Sequence, residues 1–193
     1  MVKDQKLRRF VAIGMFSSIS YILMLLNFPL PGFPAWLNID FSEVPALVAT
    51  IIYGPVSGIV VVLIKNILDW FMTGSESGVP IGHIANLVAA ISYILPTYLI
   101  YKKISSKKGL IVGLVVSTIT MAVVMSFMNY YFLLPAYSVL MDWGTMSGAE
   151  TRAVVASAIL PFNLIKGVVV TAVFLMLFSK LQVWINKVAP AKA

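Results

Sequence analysis

The 193-residue sequence contains no cysteine and one histidine, and charged residues make up only 11% of it. Soluble globular proteins carry about 25% charged residues, so this scarcity argues against an ordinary soluble domain. Without cysteine there is no disulfide, no thiolate metal site and no thiol nucleophile. The sequence also lacks a G-x-x-x-x-G-K-[ST] phosphate loop, an H-E-x-x-H metal motif and a G-x-S-x-G nucleophile elbow. These absences favour a protein that is not an enzyme and has no metal site.

Most of the sequence is apolar: 60% of its residues are hydrophobic and the mean hydropathy is +0.96. Several apolar runs approach or exceed the roughly 20 residues that cross a bilayer. We predict an all-α, polytopic membrane protein that forms a single domain over residues 1–193. Six spans are predicted, at about 9–28, 42–53, 55–72, 81–101, 110–132 and 152–184. The first run is too long for a signal peptide and has no small-residue cleavage site, so we interpret it as a retained span.

The basic residues are clustered at both ends of the chain and in one loop. The clusters comprise Lys3, Lys6, Arg8, Arg9, Lys102, Lys103, Lys107, Lys108, Lys180, Lys187 and Lys192. Because such clusters mark the cytoplasmic side, six spans place both termini in the cytoplasm. The loops on the other side then hold Asp40, Glu76, Asp142 and Glu150. We therefore attribute the net charge of +7 to topology in a cell membrane, and we predict no nucleic-acid partner.

Two lysines lie within apolar runs, where an ionisable group is costly and marks a functional site by default. Lys65 precedes Asp69 by four residues on a predicted helix, so the two can pair. We interpret them as a structural polar pair. Lys166 has no acid near it in the sequence, so either a polar ligand or a distant carboxylate must satisfy it.

The remaining polar residues of the spans fall in the predicted outer half. Asn163 precedes Lys166 by three residues and shares its helix face. His83, Asn86 and Asn129 lie at the same predicted depth, and Asn38 and Asp40 come from the first outer loop. The pattern predicts one polar pocket that opens outward, with walls of Phe127, Tyr130, Tyr131 and Phe162. The competing interpretation for each residue is a structural hydrogen bond between helices.

Two outer loops are long enough to cover such a pocket. Residues 29–41 contain three prolines and several aromatic residues, which suits either a lid or an aromatic belt at the membrane interface. Residues 133–150 are predicted to form a second flap. On the first span, Gly14 and Ser18 have the small-xxx-small spacing that lets helices approach closely. This surface would either pack inside the chain or dock another membrane protein.

Three segments carry a resemblance to a known family. They are LNIDFSEVPALVATIIYGPVSGIVVVLIKN (37–66), IGHIAN (81–86) and PFNLIK (161–166). Together they closely resemble the riboflavin-specific substrate-binding subunits, or S components, of energy-coupling factor (ECF) transporters. The resemblance implies six helices around an outward cavity that the first outer loop caps. It also implies capture of riboflavin, as transported ligand and not as cofactor, with uptake driven by a membrane coupling subunit and two ATP-binding-cassette ATPases.

The resemblance also implies roles for particular residues. Binding of the flavin would fall on Asn129, Asn163 and Lys166, together with Leu37, Asn38, Asp40, Phe41, His83 and Asn86. Docking to the coupling subunit would fall on Gly14 and Ser18, which depart from the family's Ala-x-x-x-Ala form. The alternatives are an S component for another vitamin, a self-contained proton- or sodium-coupled carrier that uses Lys166 and Asp69, and a structural membrane subunit.

Overall fold

The computed structural model describes residues 2–75, 77–142 and 144–188, with side chains described in 5–75, 77–142 and 144–180. It is 82% helical, which confirms the predicted helical class. Besides the helices, the described residues include one short antiparallel pair of strands, β1 (Phe28–Pro29) and β2 (Asn38–Ile39). Glu76 and Lys192, which entered the charge argument, lie outside the described residues.

Eight α-helical segments follow one another within the described ranges. They are α1 (Val2–Leu25), α2 (Glu43–Tyr53), α3 (Pro55–Thr73), α4 (Ile81–Ile104), α5 (Lys107–Met128), α6 (Leu134–Leu140), α7 (Gly148–Val154) and α8 (Leu160–Val188). A π-helical turn, Asn129–Leu133, joins α5 to α6 without a break, and a second one, Val155–Ile159, joins α7 to α8. The described residues therefore form five long helices and one short one.

Within the described residues, five helices are long and apolar enough to cross a membrane: 5–25, 55–73, 81–104, 107–140 and 148–180. The short helix is α2, whose 11 residues extend only about 16 Å against a hydrocarbon core of about 30 Å. It packs against α1, α3, α4 and α8 and buries nearly all of its residues. The second predicted span is thus a buried central helix.

A sharp reversal between α2 and α3 places their side chains together. Gly54 has a φ of +89°, a backbone conformation that favours glycine, and Pro55 starts α3 with its φ already helical. The two helices pack closely at Gly58, where an added Cβ would lie 1.7 Å from Thr50 Oγ1. This packing brings the middle of α3, with Lys65, against the amino-terminal end of α2.

The loop at 26–42 is folded onto the bundle. Leu37 and Ile39 are buried against Ile159 and Phe162 of the α7–α8 helix. The ring of Phe33 meets that of Phe162 edge-on at 5.9 Å between centroids. The loop is therefore packed on α8 by apolar contacts and does not lie free as an interfacial belt.

The predicted second flap at 133–150 is wrong in its extent. The helix that begins with α5 continues to Leu140, so only 141–147 lies between helices. Pro135 does not end this helix, although proline has no N–H to donate inside a helix. The preceding π turn changes the hydrogen-bond pattern there and lets the helix continue through the first turn of α6.

Candidate functional site

A cavity of about 640 Å³ lies between loop 26–42, α3, α4, the α5–α6 helix and α8. Eight of the nine predicted binding residues line it: Leu37, Asn38, Asp40, His83, Asn86, Asn129, Asn163 and Lys166. The structure therefore brings these eight residues together around one cavity, and their contact with a ligand stays a prediction. Trp36 and Tyr137 also line the cavity, and sequence reasoning missed both because aromatic residues are common throughout the chain.

The predicted aromatic wall is wrong except for Phe162. Phe127 and Tyr131 are 61% exposed and stack on each other on the outside of the bundle. Each is two residues from Asn129, or about 200° around the helix, so an inward Asn129 turns both outward. Tyr130 packs against Tyr131 and does not line the cavity. Phe41 also lies outside the lining, and packs against the ring of Phe28 and the main core.

Four buried charges lie together at the base of the cavity. Lys166 Nζ lies 3.2 Å from Asp40 Oδ2 and 3.3 Å from Glu43 Oε1, and Lys65 Nζ lies 3.7 Å from the same Glu43 oxygen. None of the four residues is more than 6% exposed. Two ammonium and two carboxylate groups make the cluster formally neutral, which is the condition for burying charge at acceptable cost. The carboxylates of Asp40 and Glu43, which are far from Lys166 in the sequence, therefore balance its charge without a ligand.

Ser42 joins the cluster at the end of loop 26–42. Its backbone N–H and hydroxyl both donate to Asp40 Oδ1, and its hydroxyl accepts from Lys65 Nζ. Ser42 is the N-cap residue of α2 but makes no capping hydrogen bond with its side chain, because its hydroxyl is engaged by Asp40 and Lys65. Burial alone would raise the pKa of Asp40, but the two lysines and the Ser42 hydrogen bonds hold it at about 2.

The predicted pairing of Lys65 with Asp69 is wrong. Lys65 pairs with Glu43, which the reversal at Gly54 brings into reach. Asp69 lies one turn farther along α3, where its Oδ2 is 3.0 Å from His83 Nε2 on α4 and its Oδ1 accepts from Thr73 Oγ1. Asp69 lines the cavity and Lys65 does not. Helix spacing alone could not reveal that better-placed partners come from other helices.

Two asparagine amides are held in place beside Lys166. Asn129 donates to Met125 O and Asn163 donates to Ile159 O, each at 2.8 Å. One N–H of each amide is used in this way, and each amide retains an oxygen and a second N–H that can serve a ligand. Asn129 is the first residue of one π-helical turn, and Asn163 donates to Ile159, the last residue of the other; such distortions are frequent at functional sites.

Gly14 and Ser18 lie on the outward face of α1. Both are exposed, and an added Cβ on Gly14 would meet nothing within 4 Å. The opposite face of α1 carries the buried Ile13, Ser17 and Ser20. Of the two predicted uses for this small-residue surface, packing inside the chain is therefore not the one found.

A bundle of membrane-length apolar helices around a polar cavity, with a folded loop on one side, defines a membrane-embedded binding protein for a small solute. Within the described residues, no group of three His, Asp or Glu is placed to hold a metal ion.

The family model for the substrate-specific component of ECF transporters matches residues 8–178, and the chain belongs to that family. It is therefore a transport component of the plasma membrane and not an enzyme.

The sequences of curated relatives match this chain along almost its whole length. The riboflavin transporter FmnP of Bacillus subtilis (strain 168) is 47% identical over 94% of this chain and 96% of its own length. The riboflavin transporter RibU of Staphylococcus aureus (strain TCH60) is 39% identical over 95% of each. A solved S component of a bacterial ECF transporter superposes with a TM-score of 0.80 at 39% identity, over 93% of this chain and 98% of that one.

Removing Lys65 tests whether the charge cluster stabilises the fold. Lys65→Met removes one of the two positive charges and leaves the buried cluster with a net charge of −1. We expect the free energy of unfolding to fall by about 3 kcal/mol. We expect the thermal unfolding midpoint in detergent to fall by roughly 6–12 °C. Lys108→Met, at an exposed lysine, is the control and should unfold like the parent.

Adding Glu43→Gln to Lys65→Met restores neutrality and should recover part of the lost stability. A double variant less stable than Lys65→Met, or a Lys65→Met protein as stable as the parent, would contradict the role of neutral pairing.

Proposed function

We propose that this chain captures riboflavin from outside the cell and delivers it for ATP-driven uptake as the S component of an ECF transporter. The observation that carries the proposal is the cavity that Asn129, Asn163 and Lys166 line together. The names of relatives that match nearly the full chain support the choice of riboflavin.

The flavin ring suits the chemistry of this cavity. Its faces are flat and apolar, and they match Leu37, Trp36 and Phe162 in the lining. The pyrimidine edge alternates carbonyl groups with an N–H, and an asparagine amide offers both a donor and an acceptor. Lys166 adds a cationic donor for a carbonyl or a ring nitrogen. The volume of about 640 Å³ lies in the range of cavities that enclose such ligands.

The ribityl chain of riboflavin needs hydrogen-bond partners of a different kind. Its hydroxyls are both donors and acceptors, and Asp40, Asn38, His83 and Asn86 line the cavity with matching groups. We assign these four residues to the sugar alcohol, and the Asn129–Asn163–Lys166 set to the ring. Phe41 supports the loop by packing on Phe28 and has no direct contact in this proposal.

The orientation in the membrane follows from the charge distribution. We propose that the chain has six membrane helices, with α2 crossing incompletely, and that both termini are cytoplasmic. The exposed lysines of the α4–α5 turn, Lys102 to Lys108, lie at the opposite end of α4 from Gly82 and His83, which line the cavity. Since basic turns face the cytoplasm, the cavity then faces outward.

Delivery to the cytoplasm requires partners. We propose that the energy comes from ATP hydrolysis by a pair of ATP-binding-cassette ATPases, acting through a membrane coupling subunit, which agrees with the lack of a phosphate-binding loop in this sequence. Loop 26–42 would close over the captured flavin, and the subunit would then reorient while its lipid-facing helices stay in the bilayer.

Riboflavin titration of the detergent-purified protein tests the proposal. We expect saturable binding with quenched flavin fluorescence, and Asn163→Ala and Asn129→Ala should each weaken it tenfold or more, since each removes an amide aimed at the ligand. Ser126→Ala, which loses a hydrogen bond within α5 outside the cavity, is the control and should bind like the parent.

Other outcomes point to the alternatives. A parent protein that does not bind riboflavin, but does bind another vitamin, would make the chain a different S component. Uptake by cells that lack the ATPase partners would indicate a self-contained carrier.

The exposed Gly14 and Ser18 face of α1 is our proposed docking surface for the coupling subunit. Gly14→Leu and Ser18→Leu should reduce co-purification with that subunit and uptake, because a bulky side chain prevents close helix approach. Riboflavin binding by the isolated chain should stay unchanged. Ser179→Leu, at an exposed serine of α8, should affect neither. Normal assembly of both α1 variants would show that the docking surface lies elsewhere.

A further inference from the structure

Asp69 is an acidic group of the cavity wall that lies outside the neutral charge cluster. Its carboxylate is held by His83 Nε2 at 3.0 Å and by Thr73 Oγ1 at 3.0 Å. The side chain is 15% exposed, and it belongs to the cavity lining. Among the described ion pairs, its partner is a histidine and not a lysine or arginine.

The described lining offers no unpaired cation to an incoming anion. Its charged residues are Asp40, Asp69 and Lys166, which give a formal charge of −1 when His83 is counted as neutral. Lys166 is the one lysine or arginine among them, and it is already engaged by Asp40 and Glu43. Sites that bind phosphate groups instead present arginine or lysine side chains.

The amino-terminal end of α4 could in principle attract an anion. Helix amino termini carry partial positive charge, and Gly82 and His83 in the first turn of α4 line the cavity. However, the Asp69 carboxylate already lies against the His83 ring at this end. An anionic ligand group would therefore meet a fixed carboxylate where it would otherwise meet the helix terminus.

We propose that Asp69 is a specificity-determining residue that makes the cavity select uncharged riboflavin over its 5′-phosphate, a proposal that rests on the proposed riboflavin binding. A phosphate monoester carries a charge of about −1.5 to −2 near pH 7. In a partly enclosed cavity, repulsion between that charge and Asp69 is screened less than in bulk water. An uncharged ribityl hydroxyl meets no such penalty and can donate a hydrogen bond to the same carboxylate.

Parallel titrations with riboflavin and riboflavin 5′-phosphate test this role. We expect the parent to bind riboflavin at least tenfold more tightly than the phosphate. Asp69→Asn and Asp69→Ser, which remove the charge, should reduce that ratio at least fivefold by improving binding of the phosphate. Asp69→Glu, which keeps the charge, should leave the ratio near that of the parent.

Asp142→Asn is the matched control, because Asp142 is an exposed acid outside the cavity lining. Its φ of +53° is one that asparagine tolerates, so the exchange changes charge with little strain. The ratio should not change in this variant. Riboflavin affinity, measured for every variant, reports whether the cavity has formed.

Two results would overturn the role of Asp69 while leaving riboflavin binding intact. One is a parent that binds both flavins equally well, and the other is a pair of neutral Asp69 variants that keep the parent's ratio. A parent that binds neither flavin would instead overturn the proposed function, and the role of Asp69 with it.

Discussion

Mutual neutralisation of four buried charges is the constraint on which this structure depends. Asp40 lies near the end of loop 26–42, Glu43 starts α2, Lys65 lies on α3 and Lys166 lies on α8. In an apolar bundle any one of these charges left alone would be strongly destabilising, so each fixes the positions of the others. The cluster therefore ties the end of loop 26–42 to two long helices that are far apart in the chain.

The cavity is a consequence of that arrangement. Because Asp40 is bound to Lys166, the loop that carries Leu37 and Asn38 is held beside α8, and the apolar contacts of Phe33 with Phe162 secure its outer part. The same connection turns Lys166 toward the cavity while its charge is already balanced. A ligand can then use Lys166 as a directed donor without having to supply a negative charge, which agrees with an uncharged flavin.

Sequence reasoning succeeded where the physical cause was local or compositional. Apolar runs predicted the long helices, and the spacing of Asn163 and Lys166 placed both on one helix face toward one cavity. The resemblance to S components, confirmed by family membership, identified the family and supported the grouping of residues from four separate regions. Whether these residues contact riboflavin stays a prediction.

Sequence reasoning failed where tertiary contacts outweighed local ones. Lys65 and Asp69 are well spaced for a pair on one helix, yet the turn at Gly54 supplies Glu43 to Lys65, and α4 supplies His83 to Asp69. Ser42 is of a residue type that is favoured at a helix N-cap, but the buried charges use its hydroxyl. The predicted fifth span ends at residue 132, but a π turn there leads into a further helix that ends at Leu140. None of these outcomes is visible without the relative placement of the helices.

The central claim is that the Asp40–Lys166 pair holds loop 26–42 against α8 so that riboflavin can bind beside it. A double-mutant cycle on riboflavin affinity, with Asp40→Asn, Lys166→Gln and the combined variant, tests this most directly. Each single exchange should weaken binding at least tenfold. The combined variant should lose less than the product of the two single losses, because both single exchanges break the same pair, although each also removes its own contact with the flavin. Losses that multiply in the combined variant, or single exchanges that leave the affinity unchanged, would contradict the account.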